Sequence, residues 1–190
     1  MKTLARLLVL VTIVGSASSA LASSDRFATR LSGFNEVHFI AAPTPALRGA
    51  VSTPARGSFR VRIDERNEII HYDLRYADLT GAVTQAHIHF GQDHTVGGIV
   101  VWLCQTAANP APPAVAVLTP ECPGPTEGVV TGTITPAQVL EAVGQGIAPM
   151  EFEELIDAIR ARTTYANVHS ATFPPGEIRG QIHRDHGHRD

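Results

Sequence analysis

Gln85-Ala86-His87-Ile88-His89-Phe90-Gly91 alternates apolar and polar residues with a period of two. Successive side chains of a strand point to opposite faces, so this stretch reads as a strand. Ala86, Ile88 and Phe90 share the core-facing side, and His87 and His89 share the other. Residues two apart on a strand sit about 6.6 Å apart at the backbone, close enough for both imidazoles to reach one ion or one ligand group. Gly91 ends the strand, and a loop with Asp93 and His94 follows.

The same alternation recurs outward from this point. Phe59, Val61 and Ile63 face inward in Gly57–Ile63, and Ile70, Tyr72, Leu74 and Tyr76 share one face of Ile69–Tyr76. The polar connection Glu65-Arg66-Asn67-Glu68 joins these two runs as a β-hairpin. Ile99–Leu103 is a continuous apolar run that suits a strand buried on both faces. Gly128–Thr133, Thr164–His169 and Glu177–Ile182 complete the set, the last two paired across the loop Ala171–Gly176. Leu31–Val37 reads as a further short strand after a polar lead-in over Ser23–Thr29, and Phe39–Pro54 as a surface loop. Many short strands separated by turn signals predict a mainly β fold, an antiparallel β-sandwich or open barrel.

A short two-helix insertion interrupts this pattern. Thr135-Pro136-Ala137-Gln138 has the residues of a capping box, with proline at the first helical position, and predicts a helix over Pro136–Val143 that stops at Gly144. A second helix from Met150 uses Phe152, Leu155, Ile156 and Ile159 as its apolar stripe.

Met1–Ala22 reads as a secretory signal: Lys2 and Arg6 ahead of a short apolar run, then Ala20-Leu21-Ala22 as the cleavage site. The run is too short to span a bilayer. Cleavage leaves 168 of the 190 residues, with one β domain over 23–183 and a polar, histidine-containing tail over 184–190. The expected location is secreted or periplasmic. Without Lys2 and Arg6, 13 basic and 18 acidic residues remain, a formal charge of −5. That balance argues against nucleic-acid or anionic-membrane partners. Lys2 is the sole lysine, so Schiff-base and P-loop chemistry are excluded for the mature chain. The two cysteines, Cys104 and Cys122, lie 18 positions apart and read as a disulfide in an exported protein.

The chemistry-bearing candidates are His87, His89 and His169. His169 shares the polar face of its own strand with Tyr165 and Asn167, and if that strand neighbours the first, three imidazoles meet. Three nitrogens with an open position suit copper or zinc. The bland alternative is a polar ridge of unliganded histidines. Glu177 and Arg179 are read on one face of their strand, either ion-paired with a neighbouring strand or, with Asn167, as groups supporting the histidines from behind. Gly180 there permits close approach of another backbone. The tail residues His183, His186 and His188 are expected to have no role. No nucleophile elbow, zincin helix or dinucleotide loop is present.

Three motifs in order, Ala86-His87-Ile88-His89-x-Gly91, Tyr165-x-Asn167-Val168-His169-Ser170 and Pro175-Gly176-Glu177-Ile178-Arg179-Gly180-Gln181, resemble the CHRD domain, found in chordin and in exported bacterial proteins. The resemblance covers about Leu31–Ile182 and implies a β-rich domain. Chordin's binding of bone morphogenetic proteins belongs chiefly to its cysteine-rich modules, which this chain lacks. The chain departs from the family pattern twice. Glu36-Val37-His38-Phe39 stands where the family often has Glu-Val-Pro-Pro, adding a histidine whose reach to the cluster stays open, and Ser170 stands where threonine is usual. The His-x-His strand is also similar to the copper strand of copper/zinc superoxide dismutase, but that family's zinc loop is not recognisable here.

Two functions follow. One is a non-catalytic binding or structural module with a histidine-lined site, its partner an extracytoplasmic protein or an envelope polymer. The other is an exported copper- or zinc-binding protein that buffers metal or runs redox chemistry.

Overall fold

The computed structural model describes residues 25–40 and 46–185. The leader Met1–Ala22 and the tail residues His186 and His188 lie outside them.

Among the described residues, eleven strands form one large antiparallel sheet and one small ribbon: β1 (Asp25–Ser32), β2 (Val37–Ile40), β3 (Ala46–Gly49), β4 (Arg56–Asp64), β5 (Ile69–Ala77), β6 (Val83–Phe90), β7 (Gly98–Cys104), β8 (Gly128–Ile134), β9 (Thr164–Ser170), β10 (Ile178–Gln181) and β11 (His183–Arg184). The large sheet runs β7-β6-β9-β10-β1-β4-β5-β8, with β11 also on β1, while β2 and β3 pair apart from it. Its two end strands, β7 and β8, approach one another, so the sheet curls into a nearly closed barrel. The apolar side of every long strand lines one continuous core, with Phe59, Leu74, Ile88 and Val168 among its fully buried members. Burying this much aliphatic and aromatic surface, at about 25 cal/mol per Å², is the main term holding the barrel together.

The hairpin β4–β5 forms as its alternation predicts, with Phe59 opposite Leu74 and Val61 opposite Tyr72. Asp64 caps its turn by accepting from the Asn67 backbone N–H. Gly180 of β10 faces Arg30 of β1 so closely that a Cβ there would sit 2.3 Å from the Arg30 carbonyl oxygen. Cys104 at the end of β7 is bonded to Cys122, with Cα atoms 4.9 Å apart, and staples the proline-rich connection to the sheet.

Three local expectations are corrected. The first strand is Asp25–Ser32, not Leu31–Val37, because Phe27, Thr29 and Leu31 already alternate inward within the supposed lead-in, and the chain then turns through a 3₁₀ helix at Gly33–Asn35. The helix expected over Pro136–Val143 is a single 3₁₀ turn, Pro136–Gln138. Its start forms, with the Gln138 side chain accepting from the Thr135 backbone N–H. Leu140 N–H then donates to the Val100 carbonyl of β7, and this sheet bond displaces the next helical turn. The surface loop expected over Phe39–Pro54 holds β3 and the end of β2, which pair as a ribbon, and at the far end His183 and Arg184 pair with Ala28 and Phe27 of β1.

Of the described helices, α1 (Pro113–Ala116) is one turn within the proline-rich segment. The second, α2 (Phe152–Arg160), buries the expected stripe of Phe152, Leu155, Ile156 and Ile159. Arg160 fastens its end to Asp25 of β1 and to Glu65.

Candidate metal centre

β6 and β9 are hydrogen-bonded neighbours, with His87 opposite Asn167 and His89 opposite Tyr165. That pairing brings His87, His89 and His169 together, and one ring nitrogen of each lies within 4.8 Å of the others. The shared face is not a solvent-facing ridge. His87, His89 and His169 are 0, 7 and 5 % exposed.

Loops fold over this face and fix the rings. His89 Nδ1 lies 2.9 Å from the Gly97 carbonyl, and His169 Nδ1 lies 2.8 Å from the Pro174 carbonyl. A carbonyl only accepts, so both Nδ1 atoms carry the proton and both Nε2 atoms present a lone pair. His87 Nδ1 is 3.1 Å from His169 Nε2 and must therefore be the donor, which leaves His87 Nε2 unprotonated as well. His87 Nε2 and His89 Nε2 are buried and have no partner. His169 Nε2 also faces Asn167 Oδ1 at 3.1 Å, lone pair against lone pair. The cluster is thus rich in buried acceptors and short of protons. Burial holds all three imidazoles neutral: the pKa values of His89 and His169 fall to about 4, and that of His87 is well below the ordinary value, lowered further by its two neighbours. Neutral imidazole is the form that ligates a metal.

A layered stack supports the site. The Tyr165 ring lies parallel to His89 at 4.7 Å, and the Arg179 guanidinium covers the other side of Tyr165 at 3.4 Å. Arg179 is held there by donating to the carbonyls of Thr95 and Gln92. Trp102 of β7 packs edge-on against His87 at 4.3 Å. Of the residues expected behind the histidines, Asn167 lies beside His169 and Arg179 stacks on Tyr165. The Glu177 carboxylate turns instead to Thr53 Oγ1 and the Thr80 N–H and ties two loops together.

Glu36 was not among the sequence candidates, yet its buried carboxyl lies beside Asn167 at Gly176. Burial pushes its pKa up to about 7. Gly176, at φ +136°, makes room for the pair: a Cβ there would sit 2.7 Å from Glu36 Oε1 and 2.8 Å from Asn167 Nδ2. His38 packs beside this corner, bonded to the Gly176 carbonyl, and is not one of the three grouped histidines. The two-residue spacing of Glu36 and His38 in extended chain was the available signal for both.

The CHRD domain profile matches residues 27–182, most of the chain. The chain belongs to the CHRD domain family. No curated protein and no solved structure matches it. The residues that carry the CHRD resemblance, His87, His89, Asn167 and His169, are those the barrel buries side by side. Among the described residues of this CHRD domain, no helix is long and apolar enough to cross a membrane.

Proposed function

We propose that this is an exported, non-catalytic CHRD-domain protein that binds one transition-metal ion, copper or zinc, through His87, His89 and His169. One observation carries the reading: the Nε2 atoms of His87 and His89 are buried without a partner, beside a third imidazole. A buried polar atom left unpaired costs about 1–3 kcal/mol, so two in one place call for a ligand that accepts lone pairs. Imidazole nitrogens suit copper and zinc. The Gly97 and Pro174 carbonyls fix the Nδ1–H tautomers that leave the Nε2 atoms of His89 and His169 as lone-pair donors. Export rests on the leader Met1–Ala22, with the mature chain starting at Ser23, and on the Cys104–Cys122 bond, which belongs in an oxidising compartment.

The test is metal analysis of untagged chain, stripped with chelator and then reconstituted. About one equivalent of copper or zinc is expected, lost in His89→Ala and His169→Ala, because ligand nitrogens cannot be replaced by water here. Less than about a tenth of an equivalent of any transition metal would overturn the reading.

A second reading is a module that binds an envelope polymer or an extracytoplasmic protein, with the histidines as an internal polar network. The His87–His169 hydrogen bond favours it, since it engages the His169 Nε2 lone pair that a metal would need. Metal-free protein that keeps its full stability and takes up no ion would support it.

A further inference from the structure

Resting on the metal-binding reading above, we propose that the ion this site takes is monovalent copper. The three grouped ligands are all neutral imidazoles. Among the described residues no carboxylate joins the group, and Cys104 and Cys122 are committed to each other. A fixed cation, Arg179, is stacked on the Tyr165 ring that covers His89. A buried ion costs solvation free energy in proportion to the square of its charge, and even a monovalent ion loses several kcal/mol after relaxation. A divalent ion would therefore bring two uncompensated charges beside Arg179. Monovalent copper brings only one.

Coordination number points the same way. Zinc held by three protein ligands keeps a fourth position for water or substrate. Here the three rings are at most 7 % exposed, and the segments around Gly97, Pro174 and Thr95 close over them. Three nitrogens without a solvent ligand form an incomplete set for zinc. They form a complete set for monovalent copper, whose filled d shell accepts trigonal coordination.

The experiment uses the full chain, stripped of metal and handled without oxygen. Separate samples receive one equivalent of Zn²⁺, Cu²⁺ or Cu⁺, and each is then challenged with chelator: EDTA for the divalent ions, bicinchoninate for Cu⁺. Cu⁺ is expected to stay bound at about one equivalent while Zn²⁺ is removed, with three nitrogen neighbours by X-ray absorption. His89→Gln and His169→Gln, checked for folding by circular dichroism, are expected to weaken Cu⁺ retention by about a hundredfold or more, since even groups behind a ligand are worth 10–100-fold. The wild-type competition stands by itself if a variant fails to fold. Zn²⁺ or Cu²⁺ retained while Cu⁺ is surrendered would overturn this inference and leave metal binding intact. Failure to retain any of the three would overturn both.

Discussion

Replacing Glu36 by glutamine isolates the electrostatics behind the histidines. The carboxyl is 3 % exposed, and burial raises its pKa from the ordinary 4.5 to about 7, against the pull of Arg179, the Val37 backbone and Asn167. Between pH 4.5 and 7 the folded chain therefore holds a proton that the unfolded chain has lost. A raised pKa contributes stability that is complete below 4.5 and disappears as pH rises through 7. At 1.36 kcal/mol per pH unit of displacement, the part lost is about 3 kcal/mol. Glutamine keeps the shape and the acceptor oxygen but does not titrate. Glu36→Gln should thus gain about 3 kcal/mol relative to the wild type between pH 4 and pH 8.

His89 and His169, lowered from 6.5 to about 4, act with the opposite sign. Their contribution is present above 6.5 and is lost as pH falls toward 4, but it is common to both proteins and leaves the difference unchanged. The assay is urea unfolding of chelator-treated protein at pH 4, 6 and 8. It can be followed by the fluorescence of Trp102, the sole tryptophan, which packs on His87. A difference that stays constant with pH would show that the carboxyl titrates as if at the surface. One that shrinks as pH rises would show that Arg179 keeps it charged. Either result refutes the argument.

Two further predictions concern the frame. Cys104→Ser opens an 18-residue loop, which should cost about 3 kcal/mol. Calorimetry should then give a melting temperature about 6–12 °C lower, with histidine-dependent metal uptake unchanged. Two free thiols in the native, exported protein would contradict the assignment. Gly180→Ala sets a Cβ 2.3 Å from the Arg30 carbonyl and 2.4 Å from Thr29 Oγ1. Prying β1 from β10 should cost about 1–3 kcal/mol by denaturant midpoint, and an unchanged midpoint would show that the strands have slack.

The sequence by itself determined the parts that depend on local period and residue type. Alternation at Phe59–Ile63, Ile70–Tyr76 and Ala86–Phe90 specified strands and their core-facing sides, because the side-chain period of a strand is fixed by its backbone. The stripe of α2 and the hairpin β9–β10 were legible for the same reason. Capping chemistry at Thr135 was legible too, but how far the helix ran was not. That depended on whether Leu140 found its hydrogen bond in the helix or on β7, a competition with a strand distant in sequence.

Only the tertiary structure decided that β6 neighbours β9, since nothing local records which strands of a barrel are adjacent. Strand adjacency united the three histidines. Burial of their face came from loops around Gly97 and Pro174 and from the segment carrying Glu36 and His38. The placement of Glu177 and Glu36 was decided in the same way. Glu177 leaves the strand face for Thr53 and Thr80, while Glu36 reaches Asn167 from across the fold because Gly176 leaves it the space. A residue's chemistry is written in its sequence, but its neighbours, and so its proton and its charge, are set by which distant segments the fold packs against it.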